Sequence, residues 1–402
     1  GDTKPTLVVC PASLVYNWTA ELERFAPSLD VCAIVGAKAQ RRVQIAGVAE
    51  HNVVVTSYDL MRRDIDEYAE QDFARAVLDE AQYIKNPLTQ VARAAKRLPA
   101  GVRFALTGTP IENRLSELWS IFDFLMPGLL GTRESFAKRF ESPVEHAEGD
   151  SAARLQALVS PFVLRRVKED VVADLPEKIE DTVMAQLTGE QRKLYLANQD
   201  RIAQQVQHRE SSEFKKDKLK VLAELTKLRQ ICCDPRLHYE DYKAGSAKLD
   251  TCMELVHGAH DGGHRILLFS QFTGMLDIIG KRLAKEDIVF LKLTGASSKE
   301  SRAKMVAQFQ AGEVPVFLIS LKAGGVGLNL TAADVVIHYD PWWNVAAQDQ
   351  ATDRAHRIGQ QHTVTVYKLI AKDTIEERIM QMQESKRDLV NSVLGGDGIS
   401  SA

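Results

Sequence analysis

The amino-acid sequence predicts an α/β protein of two lobes, each built on a parallel β-sheet. Short apolar runs recur along the chain, and each run ends abruptly in polar residues. Segments with helical periodicity separate the runs, which is the pattern of buried parallel strands joined by helices. The runs also fall into two sets with a long charged region between them. Together these observations predict two α/β lobes.

The predicted strands of the first lobe are the runs TLVVCPAS, NVVVTSYD, ARAVLDEAQ and VRFALTGTP. Those of the second lobe are RILLFSQFT, IVFLKLTG, VPVFLISLKAGG, DVVIHYDP and TVTVYKLIA. In open parallel sheets, ligands bind beyond the carboxyl ends of the strands. The polar residues that end each run are therefore the candidate site residues.

The predicted domains follow from this division. The first lobe covers residues 1–165 and carries a helical insertion at about 113–160. Residues 166–247 form the crossover between the lobes and a second helical insertion, because they are charged and lack strand-like runs. Residues 248–402 form the second lobe.

Composition sets limits on the function. The chain has 402 residues and a net charge of −3, so any nucleic-acid binding needs a local basic strip. Its five cysteines show no metal-ligand spacing, which argues against a zinc site or a disulfide framework and fits a reducing cytosol. No apolar run approaches the ~18 residues of a membrane span and no signal peptide opens the chain, so we expect a soluble, unexported protein.

Two carboxylates follow the third predicted strand, at Asp79 and Glu80. Magnesium prefers oxygen ligands, so Asp79 suits the water shell of a metal ion. Glu80 suits the polarisation of a water that attacks a phosphate. The plainer alternative is a helix N-cap, which is the more common role of such a pair.

Thr107 and Thr109 bracket a glycine at the end of the next strand and offer hydroxyl groups beside these acids. A simple Pro/Gly turn is the alternative here.

A helix is predicted after the aromatic pair Trp342 and Trp343. Gln350, Asp353, Arg354 and Arg357 have helical spacing that places them on one face, and Gly359 is a natural stop. A solvated charged face is the alternative, but planar guanidinium groups suit a phosphoryl group on which charge develops. The two tryptophans are core residues or packing surfaces for a sugar or base.

Further candidates for contacts with nucleic acid follow strands in both lobes. Hydroxyl and amide groups at strand ends bind phosphates without reading bases, although each could equally be a local cap. These candidates are Ser13, Asn17, Trp18, Thr56, Ser57, Ser270, Gln271, Thr294 and Gly295. The glycine-rich segment KAGGVGLNL, which begins at Lys322, allows a close approach of backbone amides to a phosphate.

A phosphate-binding loop of the form G-x-x-x-x-G-K-[ST] does not occur in the sequence. The nearest segment, from Gly274 to Arg282, fails in the spacing of its glycines and in the residue after its lysine. We therefore expect this chain alone to bind ATP poorly and to hydrolyse it negligibly.

These motifs resemble the motor core of the Swi/Snf family of DNA translocases, in helicase superfamily two. The resemblance rests on LDEAQ, LTGTP, KAGGVGLNL and DRAHRIGQ, and extends to PFVLRRVKEDVVADLPEK, QRKLYL and LRQICCDPRL, so it covers almost the whole chain. Val345 stands where the family usually has a proline, and Gln348 stands where it usually has an acidic residue. The segment LDEAQYIKNP is typical of bacterial members. In this family the phosphate-binding loop precedes the strand that here begins at Thr6, so the first of two RecA-like lobes is expected to be truncated at its N-terminus.

The resemblance implies ATP and Mg²⁺ as cofactors and sequence-independent binding of double-stranded DNA. It implies that Arg354 and Arg357 are arginine fingers. It also implies nucleotide contacts at Gln82, Thr107, Thr109, Gly325, Gly327, Asn329, Gln350 and Asp353, and DNA contacts that include Lys322, Ala323, Gly324, Trp342 and Trp343.

The predicted function is ATP-dependent translocation that remodels protein–DNA complexes, with DNA-bound proteins such as the transcription machinery as partners and no membrane. The predicted location is the cytoplasm of a bacterium, at the nucleoid, or the nucleus of a eukaryote. A strand-separating helicase and a non-catalytic DNA- or protein-binding scaffold remain the alternatives.

Overall fold

The structure is a computed structural model that describes residues 4–111, 114–145, 150–165, 175–207, 218–321 and 328–394. The chain divides into two compact units, and the second of them is Arg165–Ser385. Among the described residues each unit contains one β-sheet, and every strand pairing in both sheets is parallel. The predicted fold class, two parallel α/β lobes with helical insertions, is confirmed.

The first sheet has five strands. These are β1 (Thr6–Cys10), β2 (Val31–Ala33), β3 (Val53–Ser57), β4 (Phe73–Asp79) and β5 (Ala100–Leu106), in the spatial order β2-β3-β1-β4-β5. The four strands predicted for this lobe are all present. The short β2 was missed, because three half-buried residues do not make a recognisable apolar run.

Helices cover this sheet and form the first insertion. Those between the strands are α1 (Val15–Phe25), α2 (Lys38–Ala46), α3 (Tyr58–Arg63), α4 (Ile65–Ala69) and α5 (Gln90–Lys96). The insertion contains α6 (Leu115–Leu125), α7 (Arg133–Phe136), a π-helical turn at Ala137–Glu141, α8 (Ser142–Glu145) and α9 (Ser151–Val159). Its apolar side chains, among them Trp119, Phe136 and Phe140, form a core separate from that of the sheet.

The second sheet has six strands in the order β6-β11-β10-β7-β9-β8. They are β6 (Lys178–Gln186), β7 (Ile266–Ser270), β8 (Phe290–Leu293), β9 (Val316–Ser320), β10 (Val335–His338) and β11 (Val364–Lys372). The five predicted strands are present, and the sixth, β6, comes from the segment that the sequence placed in the crossover. β6 lies at the sheet edge and is largely exposed, so it lacks the apolar run of a buried strand.

The helices of the second unit begin with two that form the second insertion, α10 (Gly189–Gln207) and α11 (Lys218–Cys233). They pack on each other and on the end of β11 through a small apolar cluster that includes Tyr195 and Ile231. The others are α12 (Ala247–Asp261), α13 (Thr273–Lys285), α14 (Lys299–Gln310), α15 (Val345–Thr352) and the part of α16 (Ile375–Leu394) that precedes Lys386. None of the helices described here is both long and apolar enough to cross a membrane.

Register brings the polar ends of neighbouring strands together. In the first sheet Cys10 is the partner of Ser57, and Asp79 is the partner of Leu106, which precedes Thr107. In the second sheet Ser270 at the end of β7 is the partner of Ser320. In each sheet, the polar residues at these paired strand ends therefore lie side by side at the carboxyl end of the sheet.

Candidate functional site

Asp79 is held in a fixed orientation at the end of β4. Its Oδ2 accepts a hydrogen bond from Trp18 Nε1 at 2.8 Å, and its Oδ1 accepts one from the Glu80 backbone N–H at 2.9 Å. The Tyr58 hydroxyl donates to the Asp79 carbonyl oxygen at 2.8 Å. Each carboxylate oxygen retains a lone pair, so this half-buried group fits a hard cation bound through water.

Burial keeps the groups around Asp79 protonated. Burial and then the negative charge of Asp79 raise the pKa of the Cys10 thiol to about 12. The same two causes, in the same order, raise the pKa of Tyr58. Tyr58 therefore stays a hydrogen-bond donor to the strand end at neutral pH, and Cys10 is not a nucleophile.

Glu80 has a left-handed backbone conformation, with φ 53° and ψ 53°. A non-glycine residue in this region carries about 1–3 kcal/mol of strain, and such residues concentrate at functional sites. A 3₁₀ turn at Ala81–Ile84 follows, and neither acid caps an α-helix there. The alternative interpretation of this pair, as the N-cap of an α-helix, is therefore wrong.

A chain of hydrogen bonds joins Glu80 to the end of β5. Gln82 Nε2 donates to Glu80 Oε2 at 2.5 Å, and Thr107 Oγ1 donates to Gln82 Oε1 at 2.9 Å. The Thr109 backbone N–H then donates to Thr107 Oγ1 at 3.0 Å. The residues of LDEAQ and LTGTP thus form one connected polar site in the first lobe.

The nucleic-acid candidates of the first lobe differ in accessibility. Ser13 and Asn17 are exposed, whereas Trp18 is directed to Asp79. Thr56 and Ser57 are buried; Thr56 Oγ1 donates to the Ile34 carbonyl oxygen, and Ser57 Oγ caps α3 by accepting from Leu60 N–H. Ser57 thus has the capping role that was its alternative, whereas Thr56 caps no helix and bonds to the backbone next to β2.

The helix that was predicted to carry both arginines ends at Thr352, so the single-face arrangement is wrong. Gln350 lies in the last turn of α15 and Asp353 is its C-cap residue. Arg354 and Arg357 follow in turns; Arg354 is 9% exposed, whereas Arg357 is exposed.

Competing acceptors and donors explain the early end of α15. The N–H groups of Arg354 and Ala355 bond to carbonyls three residues back, which tightens the chain beyond α-helical geometry. Leu330 N–H donates a hydrogen bond to the Arg354 carbonyl oxygen, and Gln360 Nε2 donates one to the Ala355 carbonyl oxygen at 3.1 Å. Two carbonyls just beyond Thr352 therefore accept hydrogen bonds from outside the helix.

The ends of β7 and β10 in the second lobe are tied together by Asp340, which is 1% exposed. Its Oδ1 accepts from Ser270 Oγ at 2.6 Å, and its Oδ2 accepts from the Gln271 side-chain amide. Ser270 is fully buried, so its hydroxyl is used internally. Gln271 is half-buried at the strand end.

The remaining candidates of the second lobe differ in location and in burial. Thr294 and Gly295 lie in the turn after β8, where Thr294 N–H donates to Ser297 Oγ. Trp342 packs partly against the core, which agrees with the core alternative, and Asn329 is exposed. The predicted contacts at Lys322, Ala323, Gly324, Gly325 and Gly327 lie outside the described residues.

The two departures from the family pattern have local explanations. Val345 is the first residue of α15, a position that favours proline because its N–H has no helical acceptor. Gln348 is buried, and its Oε1 accepts from Trp342 N–H at 3.3 Å.

The sequence did not identify three residues that organise these sites. Asp340 follows a predicted strand, so the rule that selected Asp79 could have selected it. Tyr58 follows the strand NVVV with Thr56 and Ser57 and was a candidate for a DNA contact, but its hydrogen bond to the end of β4 was not predicted. Arg229 lies in the second insertion, and a helical charge pattern does not reveal a buried arginine.

Comparison with known proteins places these motifs in a family. The SNF2-related domain matches residues 1–237, and the helicase conserved C-terminal domain matches residues 247–359. A protein of Mycoplasma pneumoniae named as an uncharacterized ATP-dependent helicase is 40% identical over 98% of this chain and 37% of its own length. YwqA of Bacillus subtilis, named as an ATP-dependent helicase/translocase, is 41% identical over 97% of this chain and 43% of its own length.

A solved structure of the SWI2/SNF2 ATPase core of Sulfolobus solfataricus in complex with double-stranded DNA is 37% identical to this chain. It covers 98% of this chain and 83% of its own, with a TM-score of 0.47. The chain spans about two fifths of the length of the two curated relatives. Because the SNF2-related domain matches more than half of the chain, this protein belongs to the SNF2 family of ATP-dependent helicases and translocases.

Proposed function

We propose that this chain is the motor core of an ATP-dependent translocase that moves on double-stranded DNA and remodels protein–DNA complexes. The observation that carries this proposal is the connected polar site from Asp79 through Glu80 and Gln82 to Thr107. A related core was solved with double-stranded DNA, which favours a duplex as the partner.

Each residue of this site has a proposed role. Asp79 would hold the water shell of a Mg²⁺ ion, which would supply positive charge to the phosphates of ATP. Glu80 polarises the attacking water, and its strained backbone fixes the direction of the carboxylate. Gln82 and Thr107 hold Glu80 in place and link it to the loop after β5.

Arg354 and Arg357 are the proposed arginine fingers of the second lobe. The buried Arg354 is suited to a fixed position, whereas the exposed Arg357 is free to extend toward a nucleotide. A guanidinium group placed against a transferring phosphoryl group stabilises the charge that develops there. We propose that ATP draws the lobes together and that reopening steps them along the duplex.

The phosphates of ATP need a binding loop that these 402 residues do not contain. We propose that the edge strand β5 is the docking place of a phosphate-binding strand and helix. Val102, Phe104 and Leu106 alternate along β5, share one sheet face and are 51%, 46% and 43% exposed. The neighbouring Val77, which is the register partner of Phe104, lies in the apolar cluster under α1.

DNA binding by the 402-residue chain tests the proposal directly. We expect duplexes of unrelated sequence to bind with similar affinity, because contacts to phosphates carry no sequence information. Affinity should fall at least about tenfold between roughly 50 and 200 mM salt, as counterions are released from the duplex. Fluorescence anisotropy with labelled duplexes measures both quantities. No binding, or binding to one sequence alone, would contradict the proposal.

A strand-separating helicase is the second candidate, because the relatives are named as helicases. A strand-displacement assay, carried out with a form of the protein that carries a phosphate-binding loop, distinguishes the two functions. Translocation without displacement of the complementary strand supports the translocase.

A further inference from the structure

Arg229 lies near the end of α11, in the second helical insertion, yet it reaches the strand ends of the second sheet. Its side chain is 3% exposed. The Nη1 atom donates to Gln271 Oε1 at 2.9 Å, and Nη2 donates to the Pro341 carbonyl oxygen. One buried guanidinium group therefore joins the loop after β7 to the loop after β10.

The same guanidinium group contacts aromatic residues of both loops. Its carbon lies 5.7 Å from the ring centre of Phe272 and 5.5 Å from that of Trp343. Asp340 Oδ2 lies 3.8 Å from Nη2 and supplies a buried negative charge. These loops also carry Gln271 and Trp343, two of the candidate DNA contacts.

The geometry requires an arginine. The fork of a planar guanidinium group bonds two acceptors in different directions and lies against aromatic faces, whereas a lysine ammonium is a single compact charge. Arg229 Nε has no hydrogen-bond partner among the described residues, so the hydrogen bonds of this side chain there are those of Nη1 and Nη2 to the two loops. Its bonds to the two loops account for its position.

We propose that Arg229 is a positioning residue for DNA binding, which holds the loops after β7 and β10 in the arrangement that contacts the duplex. The second helical insertion thereby contributes to DNA binding, although Arg229 itself does not contact the DNA. This inference rests on the proposed function, because it concerns the same DNA-binding edge.

The test compares duplex binding by the 402-residue chain and its variants Arg229→Met and Arg229→Lys. Arg229→Met should bind about tenfold more weakly, because the loops lose their common anchor. The salt dependence should keep the wild-type slope, since a positioning residue neutralises no phosphate; loss of a direct phosphate contact would lower the slope by about 0.9. Arg229→Lys keeps the charge beside Asp340 and should bind with intermediate affinity.

Arg201→Met is the matched control. Arg201 lies in the same insertion and pairs with Glu224 at the surface, so its loss should leave both affinity and slope unchanged. Circular dichroism and urea unfolding establish which variants are folded, and Arg229→Lys decides the question if Arg229→Met does not fold.

Wild-type affinity in a folded Arg229 variant, or a reduced slope, would overturn the inference alone. Absence of duplex binding by the wild-type chain would instead overturn the proposed function and the inference with it.

Discussion

Trp18 Nε1 donates a hydrogen bond to Asp79 Oδ2 at 2.8 Å, so a residue of α1 orients the carboxylate at the end of β4. Asn17, the preceding residue on α1, is exposed. On this helix Asn17 faces solvent, where a DNA contact is predicted. The next residue, Trp18, faces the candidate metal-binding carboxylate of Asp79. A shift of α1 would be transmitted directly to Asp79.

A double-mutant cycle of Trp18→Phe and Asp79→Ala should measure a coupling free energy of about 1.5–3 kcal/mol, the usual range for a hydrogen bond to a charged group. Urea unfolding of the four proteins provides the values. Asp30→Ala is the control partner, because Asp30 pairs with His51 at a different place, and its effect should add to that of Trp18→Phe. Additive effects of Trp18→Phe and Asp79→Ala would exclude the coupling.

Glu80→Gln should stop ATP turnover in a form of the protein that carries a phosphate-binding loop. The amide keeps the size of the side chain but cannot act as a base, so kcat should fall by about 10²-fold or more. Nucleotide affinity should stay close to that of the wild type. Glu134→Gln, at an exposed position of α7, is the control and should leave kcat unchanged. Unchanged turnover in Glu80→Gln would exclude Glu80 as the base.

Arg354→Ala and Arg357→Ala should differ in stability although both residues are proposed to act on the same nucleotide. Arg354 is 9% exposed, so its removal should lower the free energy of unfolding by about 1–3 kcal/mol. Arg357 is exposed, so its removal should change stability by less than about 0.5 kcal/mol. Urea unfolding measures both effects, and equal losses would contradict the different placement of the two arginines.

His338 should make the second lobe sensitive to acid. Burial, and then the charge of Lys368, lower its pKa from an ordinary 6.5 to about 3. Below pH 6.5 the unfolded chain binds a proton at His338 and the folded chain does not, so acid favours the unfolded state. The free energy of unfolding therefore keeps its full value above pH 6.5 with respect to this residue. It decreases by about 1.4 kcal/mol per pH unit as the pH falls toward 3.

The variant His338→Gln removes this titration and can still form a hydrogen bond with Thr352, the partner of His338 Nε2 at 2.8 Å. We expect its free energy of unfolding to decline less steeply than that of the wild type between pH 6.5 and 5. Urea unfolding at several pH values measures the difference between the two proteins, and a difference that does not vary with pH would refute the assignment.

Apolar runs and polar strand ends were sufficient to predict most of the fold. Val53–Ser57 and Ile266–Ser270 are fully buried, so every residue of these strands had to be compatible with a core. β6 was not predicted because an edge strand tolerates exposed charges, as Glu180 and Asp181 illustrate. The end of α15 depended on hydrogen bonds from Leu330 and Gln360, which are distant contacts that helical spacing cannot contain.

The candidate site was predictable where strand order alone sets it. Asp79, Glu80 and Thr107 meet because β4 and β5 are neighbours, and the sequence showed both strand ends. The inward position of Trp18 and the bridging role of Arg229 depend on side-chain direction and on packing between distant segments. Neither property has a local sequence signal.

The exposed outer side of β5 has a consequence for how the chain behaves in solution. An edge strand offers a row of backbone N–H and C=O groups that can pair with a strand of another molecule. The apolar side chains along β5 would strengthen that pairing. At high concentration, molecules of this chain are therefore expected to self-associate edge to edge, and occupation of β5 by a native strand would suppress aggregation.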